Sequence, residues 1–374
     1  MPTSRDANAI EPLHTLKEIL QQPLLWPTTV DRVRAASERF RLADKLAHER
    51  VLLTGAGTSA YAAVAIASAW PRAIAVPTTD LLVDAERYLA EVDVVISLAR
   101  SGNSPESAAV VERVRVARPE IRQLAITCNE ESALSESGVD HLIVLDPRTN
   151  DHSLVMTSSF SNLVLAGLAL AQPDKVASVV ETVSKRADKL LPSIDANCRR
   201  IAADVHDRVV ILASSPFRGW TSEAGLKLLE MTAGRFPLVT ESFLGLRHGP
   251  MSFVKADTLV LCLLSRDPVR RMYEMDLVRE LRAKKLGRLV GIVGEDAPSS
   301  AGKNGAEPEQ LFDEVLPAVA PKLPDDLRTP FEIVTPQLLG YHLSLRIGLN
   351  PDNPSPDGII NRVVQGVTIY PVTD

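Results

Sequence analysis

The sequence predicts an α/β protein of two tandem, doubly wound parallel sheets preceded by N-terminal helices. Three observations predict that class. Apolar runs of strand length alternate with helical patterns, the spacing of crossover units in a parallel sheet. Two of these runs end in small polar loops that open a helix: Gly55-Ala56-Gly57-Thr58-Ser59 after the run at 50–54, and Ser101-Gly102-Asn103-Ser104-Pro105 after the run at 92–98. The second half then repeats the plan, VLLTGAGTSAYAA aligning with VVILASSPFRGWTSEA and VVISLARSGNSPES with LVLCLLSRDPVRRM.

Length and composition agree with this. The 374 residues exceed one typical domain. They divide into a helical segment 1–48, a first α/β unit 49–192, a second 193–349 and a tail 350–374. With 45% hydrophobic and 24% charged residues, the chain has the material for a sizeable core. A net charge of −6 offers no basic footprint for nucleic acid or an anionic membrane. No apolar run reaches bilayer length, and the polar N-terminus has no signal-peptide pattern. Cys128, Cys198 and Cys262 stand far apart, as free thiols of a cytoplasmic protein do, and form neither a disulfide framework nor a zinc site.

In chain order, residues 1–8 read as disordered. Two helices are predicted at 13–22 and 29–48, separated by Pro23 and Pro27 and packed outside the sheet core or against another subunit. Strands are predicted at 50–54, 73–76, 92–98, 122–128 and 140–145, with helices at 60–70, 81–89 and from Pro105 onward. After Thr157-Ser158-Ser159 comes a very apolar helix to 172, then helix to about 191, where Pro192 marks a boundary. The second unit has predicted strands at 208–213, 258–265, 288–293 and 310–316, and helices at 220–233, 269–284 and 329–349. The tail turns β-like at 363–370.

Candidate chemistry sits in a few places. The loops at 55–59 and 101–104 lie at the carboxyl ends of strands, where such sheets bind ligands. Unpaired N–H groups at a helix start, ringed by hydroxyls, suit a phosphate dianion; Ser and Asn are also the commonest helix caps. A dinucleotide fingerprint lacks its third glycine, since Ala60 and Tyr61 stand there, although Asp80 suits the ribose position. No Gly-Lys-Ser/Thr follows the loop to make a nucleotide-triphosphate site. Ser59, Ser101 and Ser104 have no nucleophile elbow around them. His141, Asp146, Asp151 and His152 fit no metal-ligand spacing. In the second unit, Glu223 and Glu230 share one face of an otherwise apolar helix, with Lys227 placed to pair with either. His248 precedes the turn Gly249-Pro250 and follows Glu241 and Arg247. A His and a Glu together supply proton transfer near neutral pH.

These residues resemble a known family. GAGTS at 55–59, SLARSGNSPES at 97–107, EAGLKLLEMTAG at 223–234, ESFLGLRHGP at 241–250 and the tail NPDNPSPDGIINRVVQGVTIYP at 350–371 look like tandem sugar isomerase (SIS) domains. The chain resembles the galactosamine-6-phosphate deaminase/isomerase group, formerly labelled tagatose-6-phosphate ketose/aldose isomerase. It is also similar to the isomerase half of glucosamine-6-phosphate synthase. The resemblance implies flavodoxin-like sheets, a phosphosugar substrate, and a homodimer whose sites are completed across subunits. It implies that Ser59, Ser101 and Ser104 hold the sugar phosphate, with Gly102 and Asn103 supplying backbone. Glu230 then moves the proton between C1 and C2, His248 opens the ring, and Glu241 positions water or ammonia. Gly57, Thr58, Arg100, Thr157, Ser158, Glu223 and Gln365 complete the expected substrate site. Gln365 stands where the synthase tail has a lysine. No amidotransferase domain precedes residue 30, so isomerisation or deamination is expected and not synthesis from glutamine. The amino sugar is galactosamine or glucosamine 6-phosphate. The alternatives are a phosphosugar isomerase without deamination and a non-catalytic phosphosugar sensor. Acid–base chemistry of this kind needs no metal or organic cofactor.

Overall fold

The computed structural model describes residues 13–204, 207–294, 308–355, 357–364 and 366–370. The predicted disorder at 1–8 and the candidate Gln365 lie outside them. The first sheet contains β1 (Val51–Gly55), β2 (Ala73–Pro77), β3 (Val94–Ala99), β4 (Arg122–Thr127) and β5 (His141–Val144). The second contains β6 (Val209–Ala213), β7 (Leu238–Glu241), β8 (Leu259–Leu263), β9 (Arg288–Val293) and β10 (Glu314–Pro317). The order is β2-β1-β3-β4-β5 in one sheet and β7-β6-β8-β9-β10 in the other, and every pairing is parallel. The two halves therefore share one topology, as the internal alignment predicts. The central strands are buried at every position because helices cover both faces.

The sequence reading is corrected in several places. The N-terminal helices are His14–Leu20, Gln22–Phe40 and Leu42–Leu46, and Pro27 lies inside the second. Its missing N–H would leave the Pro23 carbonyl unfilled; the Ser184 hydroxyl donates there at 2.5 Å. This helix is part of the chain's own core and does not pack outside it. Trp26 is fully buried, its ring meets Phe331 edge-on at 5.0 Å, and its Nε1 donates to Ser161 at 3.1 Å. Pro192 is no helix boundary, for one helix runs from Pro173 to Ala203. The buried stripe Val183, Ala187, Leu191, Ile194, Cys198 continues across the proline at helical spacing, so packing overrides the local break.

Strand β7 went unpredicted. It is an edge strand, half-exposed, with little apolar pattern to reveal it. Residues 308–311 are helical where a strand was predicted to begin, and the helix predicted at 329–349 is two, Thr329–Glu332 and Val334–Arg346. The predicted helix at 81–89 is likewise two, Thr78–Val83 and Ala85–Leu89. The described residues of the tail form no strand. They lie across the carboxyl edge of the first sheet, where the ladder's ends are already turned into loops. Among the described residues no helix is long and apolar enough to cross a membrane.

Candidate active site

The site begins with two turns at the carboxyl edge of the first sheet. After β1 the chain enters helix Thr58–Ala67 through Gly55 and Gly57. A Cβ at Gly55 would sit 2.6 Å from the Ser59 backbone, so only glycine permits the turn. After β3 it enters helix Pro105–Ala117 through Ser101, Gly102, Asn103 and Ser104. Gly102 has φ +65°, and a Cβ there would meet the Ser132 hydroxyl at 2.5 Å. β1 and β3 are neighbours on either side of the point where the connections diverge, so both loops face one cleft.

That cleft has a volume of about 260 Å3 and is lined by Gly57, Thr58, Ser59, Arg100, Ser101, Gly102 and Ser104. The opposite wall is Leu226 and Glu230 of helix Arg218–Met231, and the tail residues Ile360, Asn361, Arg362 and Val364 form the roof. Arg100 ties roof to floor. Its guanidinium donates to the carbonyls of Ser153 at 3.2 Å, Leu154 at 3.0 Å and Arg362 at 2.7 Å. Burial lowers its pKa, and the nearby Arg362 charge adds to that. Arg362 in turn donates to the Asp151 carbonyl at 2.9 Å and the Asn150 side chain at 2.7 Å.

Behind Glu230 lies a buried charge cluster. Lys227 is fully buried, and its Nζ sits 2.5 Å from Glu230 Oε2, 3.4 Å from Glu223 Oε1 and 3.1 Å from Thr58 Oγ1. Glu223 is also fully buried, and its Oε2 has no partner among the described residues. Burial pushes its carboxyl up to about 8 against the pull of Lys227. The two glutamates raise the Lys227 pKa against its own burial, so the cation persists. A neutral Glu223 beside a Lys227–Glu230 ion pair accounts for the short contact on one side and the long one on the other. The pair fixes Glu230, whose side chain keeps 26% exposure, against the cleft.

The remaining predicted residues lie elsewhere. Thr157 and Ser158 are fully buried and spend their N–H and hydroxyl groups on Asp151, which caps helix Ser158–Ala171. Asn103 turns from the cleft, its Oδ1 accepting the Ala133 N–H at 3.0 Å. Glu223 stands behind the wall. Glu241 lines a separate cavity of about 500 Å3 with Ser215, Arg218 and Ser222. His248 is exposed on the loop after helix Phe243–Leu246, outside the cleft of its own chain. Arg247 is no partner for it, because it pairs with Asp276 and Glu280. The sequence prediction omits the lining residues Leu226, Ile360, Asn361, Arg362 and Val364, and the part played by Lys227. Lys227 was read only as a charge partner, and a lysine on an otherwise apolar helix was the available signal. Arg362 gave none, since its contacts are over 200 residues away in the chain.

Comparison with known proteins assigns this arrangement. The SIS domain family model matches residues 46–172. AgaS of Streptomyces coelicolor is 36% identical over 97% of this chain and 96% of its own length. The D-galactosamine-6-phosphate deaminase AgaS of Shewanella sp. (strain ANA-3) is 35% identical over 96% of this chain and 92% of its own. The crystal structure of tagatose-6-phosphate ketose/aldose isomerase from Escherichia coli superposes with a TM-score of 0.84 at 30% identity, covering 99% of this chain and all of that one. Fold and loops thus define a tandem SIS-domain enzyme. Within that class the chain belongs to the AgaS family of amino sugar phosphate deaminases/isomerases.

Proposed function

We propose that this enzyme converts D-galactosamine 6-phosphate and water to the ketose 6-phosphate and ammonia. The observation that carries the reading is Glu230, held by buried Lys227, facing the Ser59 and Ser101–Ser104 loops across one cleft. The phosphate docks on the loop N–H groups and on the hydroxyls of Ser59, Ser101 and Ser104. In the open-chain sugar, Glu230 takes the C2 proton, giving an enolamine, and returns it to C1. This leaves a C2 imine and a C1 hydroxymethyl group. Water adds to the imine carbon and the amine leaves as ammonia, so atoms and charge balance without a redox partner. Arg100 and Arg362 keep the tail closed over the sugar.

Ring opening is assigned to His248 of a second subunit in a homodimer. The exposure of His248 and its place outside the lining of its own cleft support this. Glu241 is assigned a supporting role at that subunit boundary, and Gln365 a place in the tail. A cytoplasmic location fits the three buried free thiols.

The experiment is ammonia release from galactosamine 6-phosphate and, separately, glucosamine 6-phosphate. Faster release from the galacto epimer is expected. No ammonia from either, with tagatose 6-phosphate interconverting with its aldose, overturns deamination in favour of the isomerase that the Escherichia coli structure's name describes.

A further inference from the structure

Because the two sheets share one topology, the second also has a switch point, between the loops after β6 and β8. It opens onto a cavity of about 650 Å3 lined by Pro216, Arg266, Arg270 and Asp325 among others. The internal alignment, which the strand registers reproduce up to Ser97 and Cys262, sets Arg266 against Ser101 and Asp267 against Gly102, while the helix starts at Pro105 and Pro268 set Asp267 against Ser104. In the first sheet, no protein acceptor among the described residues takes the N–H groups of Ser101 and Gly102. In the second sheet, one side chain takes both equivalents. The Arg266 N–H donates to Asp325 Oδ1 at 2.7 Å and the Asp267 N–H to Oδ2 at 3.3 Å. Two guanidinium groups close on the same carboxylate, Arg270 at 2.9 Å and Arg328 at 3.0 Å.

Asp325 is buried and arrives from beyond β10. It does not serve as a helix cap. The helix Pro268–Ala283 is capped by Asp267, whose Oδ1 accepts the Arg270 N–H. A second buried carboxylate, Glu274, takes the N–H and hydroxyl of Ser265 just before these residues. Arg271, which feels both Glu274 and Asp325, keeps its Nη1 buried with no partner among the described residues. Arg328 also pairs with Glu332 at 3.2 Å and Arg270 lies 3.9 Å from Asp267, so the one donor left over at this point among the described residues is that Arg271 nitrogen.

We propose that the second sheet carries a latent phosphate site, closed by Asp325 standing in for a ligand's oxyanion. Two loop N–H groups and two guanidinium groups converging on one carboxylate have the donors and charge to hold a phosphate monoester. Asp325 confines phosphosugar binding to the first sheet and leaves the second to hold the Glu230 helix. Asp325→Ala empties the position, and Asp325→Asn keeps its shape without its charge.

The test counts inorganic phosphate bound per full-length chain by equilibrium dialysis and follows thermal unfolding with and without phosphate. Asp325→Ala is expected to bind one phosphate more than wild type, and Asp325→Asn, whose side chain still fills the position, is expected to bind no more than wild type. Phosphate is expected to raise the unfolding temperature of Asp325→Ala by more than it raises that of wild type. Adding Arg270→Ala to Asp325→Ala is expected to remove the extra phosphate. A folded Asp325→Ala that gains none overturns the proposal, as does one that is unfolded and not restored by phosphate. The readout is a difference from wild type. Wild-type protein that binds no phosphate at all counts instead against the first-sheet function proposed above.

Discussion

Glu223→Gln separates the buried charge cluster's electrostatics from its packing. The carboxyl is fully buried, touches Lys227 and Thr58 at 3.4 Å, and leaves one oxygen without a partner among the described residues. Its pKa rises from 4.5 to about 8, chiefly through burial. Between those values the folded chain holds one proton more than the unfolded chain. The stabilising contribution of that proton is fully present below pH 4.5 and is lost as pH rises through 8. At about 1.4 kcal/mol per unit, the whole span amounts to something on the order of 5 kcal/mol. Glutamine mimics the protonated acid and does not titrate. In urea unfolding of both proteins from pH 5 to 9, wild type is expected to lose stability relative to Glu223→Gln by roughly 1.4 kcal/mol per pH unit up to about pH 8. A difference that stays constant over this range refutes the neutral Glu223.

Two further substitutions probe the site. Lys227→Met leaves Glu223 and Glu230 without their shared cation; a loss of about 3–5 kcal/mol in unfolding free energy is expected, together with a fall in kcat because Glu230 loses the contact that fixes it. Unchanged kcat would show that Glu230 needs no such support. On the proposed phosphate site, Ser101→Ala removes one hydrogen bond to a charged phosphate, worth about 1.5–3 kcal/mol. It is expected to raise KM roughly 10- to 100-fold with kcat nearly unchanged, since the phosphate does not react; steady-state kinetics with galactosamine 6-phosphate decide it.

The parts of the fold that were legible in the sequence are those where local pattern and burial coincide. The central strands of both sheets are continuous apolar runs because both faces are covered, and the glycines at 55, 57 and 102 mark turns that a Cβ would block or strain. Prolines misled where packing outweighed them: Pro27 is tolerated because Ser184 fills the freed carbonyl, and Pro192 because its helix is buried along one stripe. The edge strand at 238–241 has too little buried surface to show a period. Ser59, Ser101, Ser104 and Glu230 line one cleft, as the motifs that contain them lead one to expect, while their roles rest on the family resemblance. The roles of Arg362 and Asp325 were not legible, because each is defined by contacts with loops distant in sequence. Thr157 and Ser158 are expected from the resemblance in the substrate site, yet Asp151, itself only six residues before Thr157, takes their donors.

The central claim is that Glu230, across the cleft from the phosphate loops, carries the proton from C2 to C1. Turnover of galactosamine 6-phosphate deuterated at C2, in H2O, tests it most directly, reading ammonia by a coupled assay and carbon-bound deuterium at C1 of the ketose by NMR. Wild type is expected to release ammonia and place deuterium at C1, while Glu230→Gln, folded and still binding phosphate, does neither. A Glu230→Gln protein that releases ammonia at the wild-type rate contradicts the account.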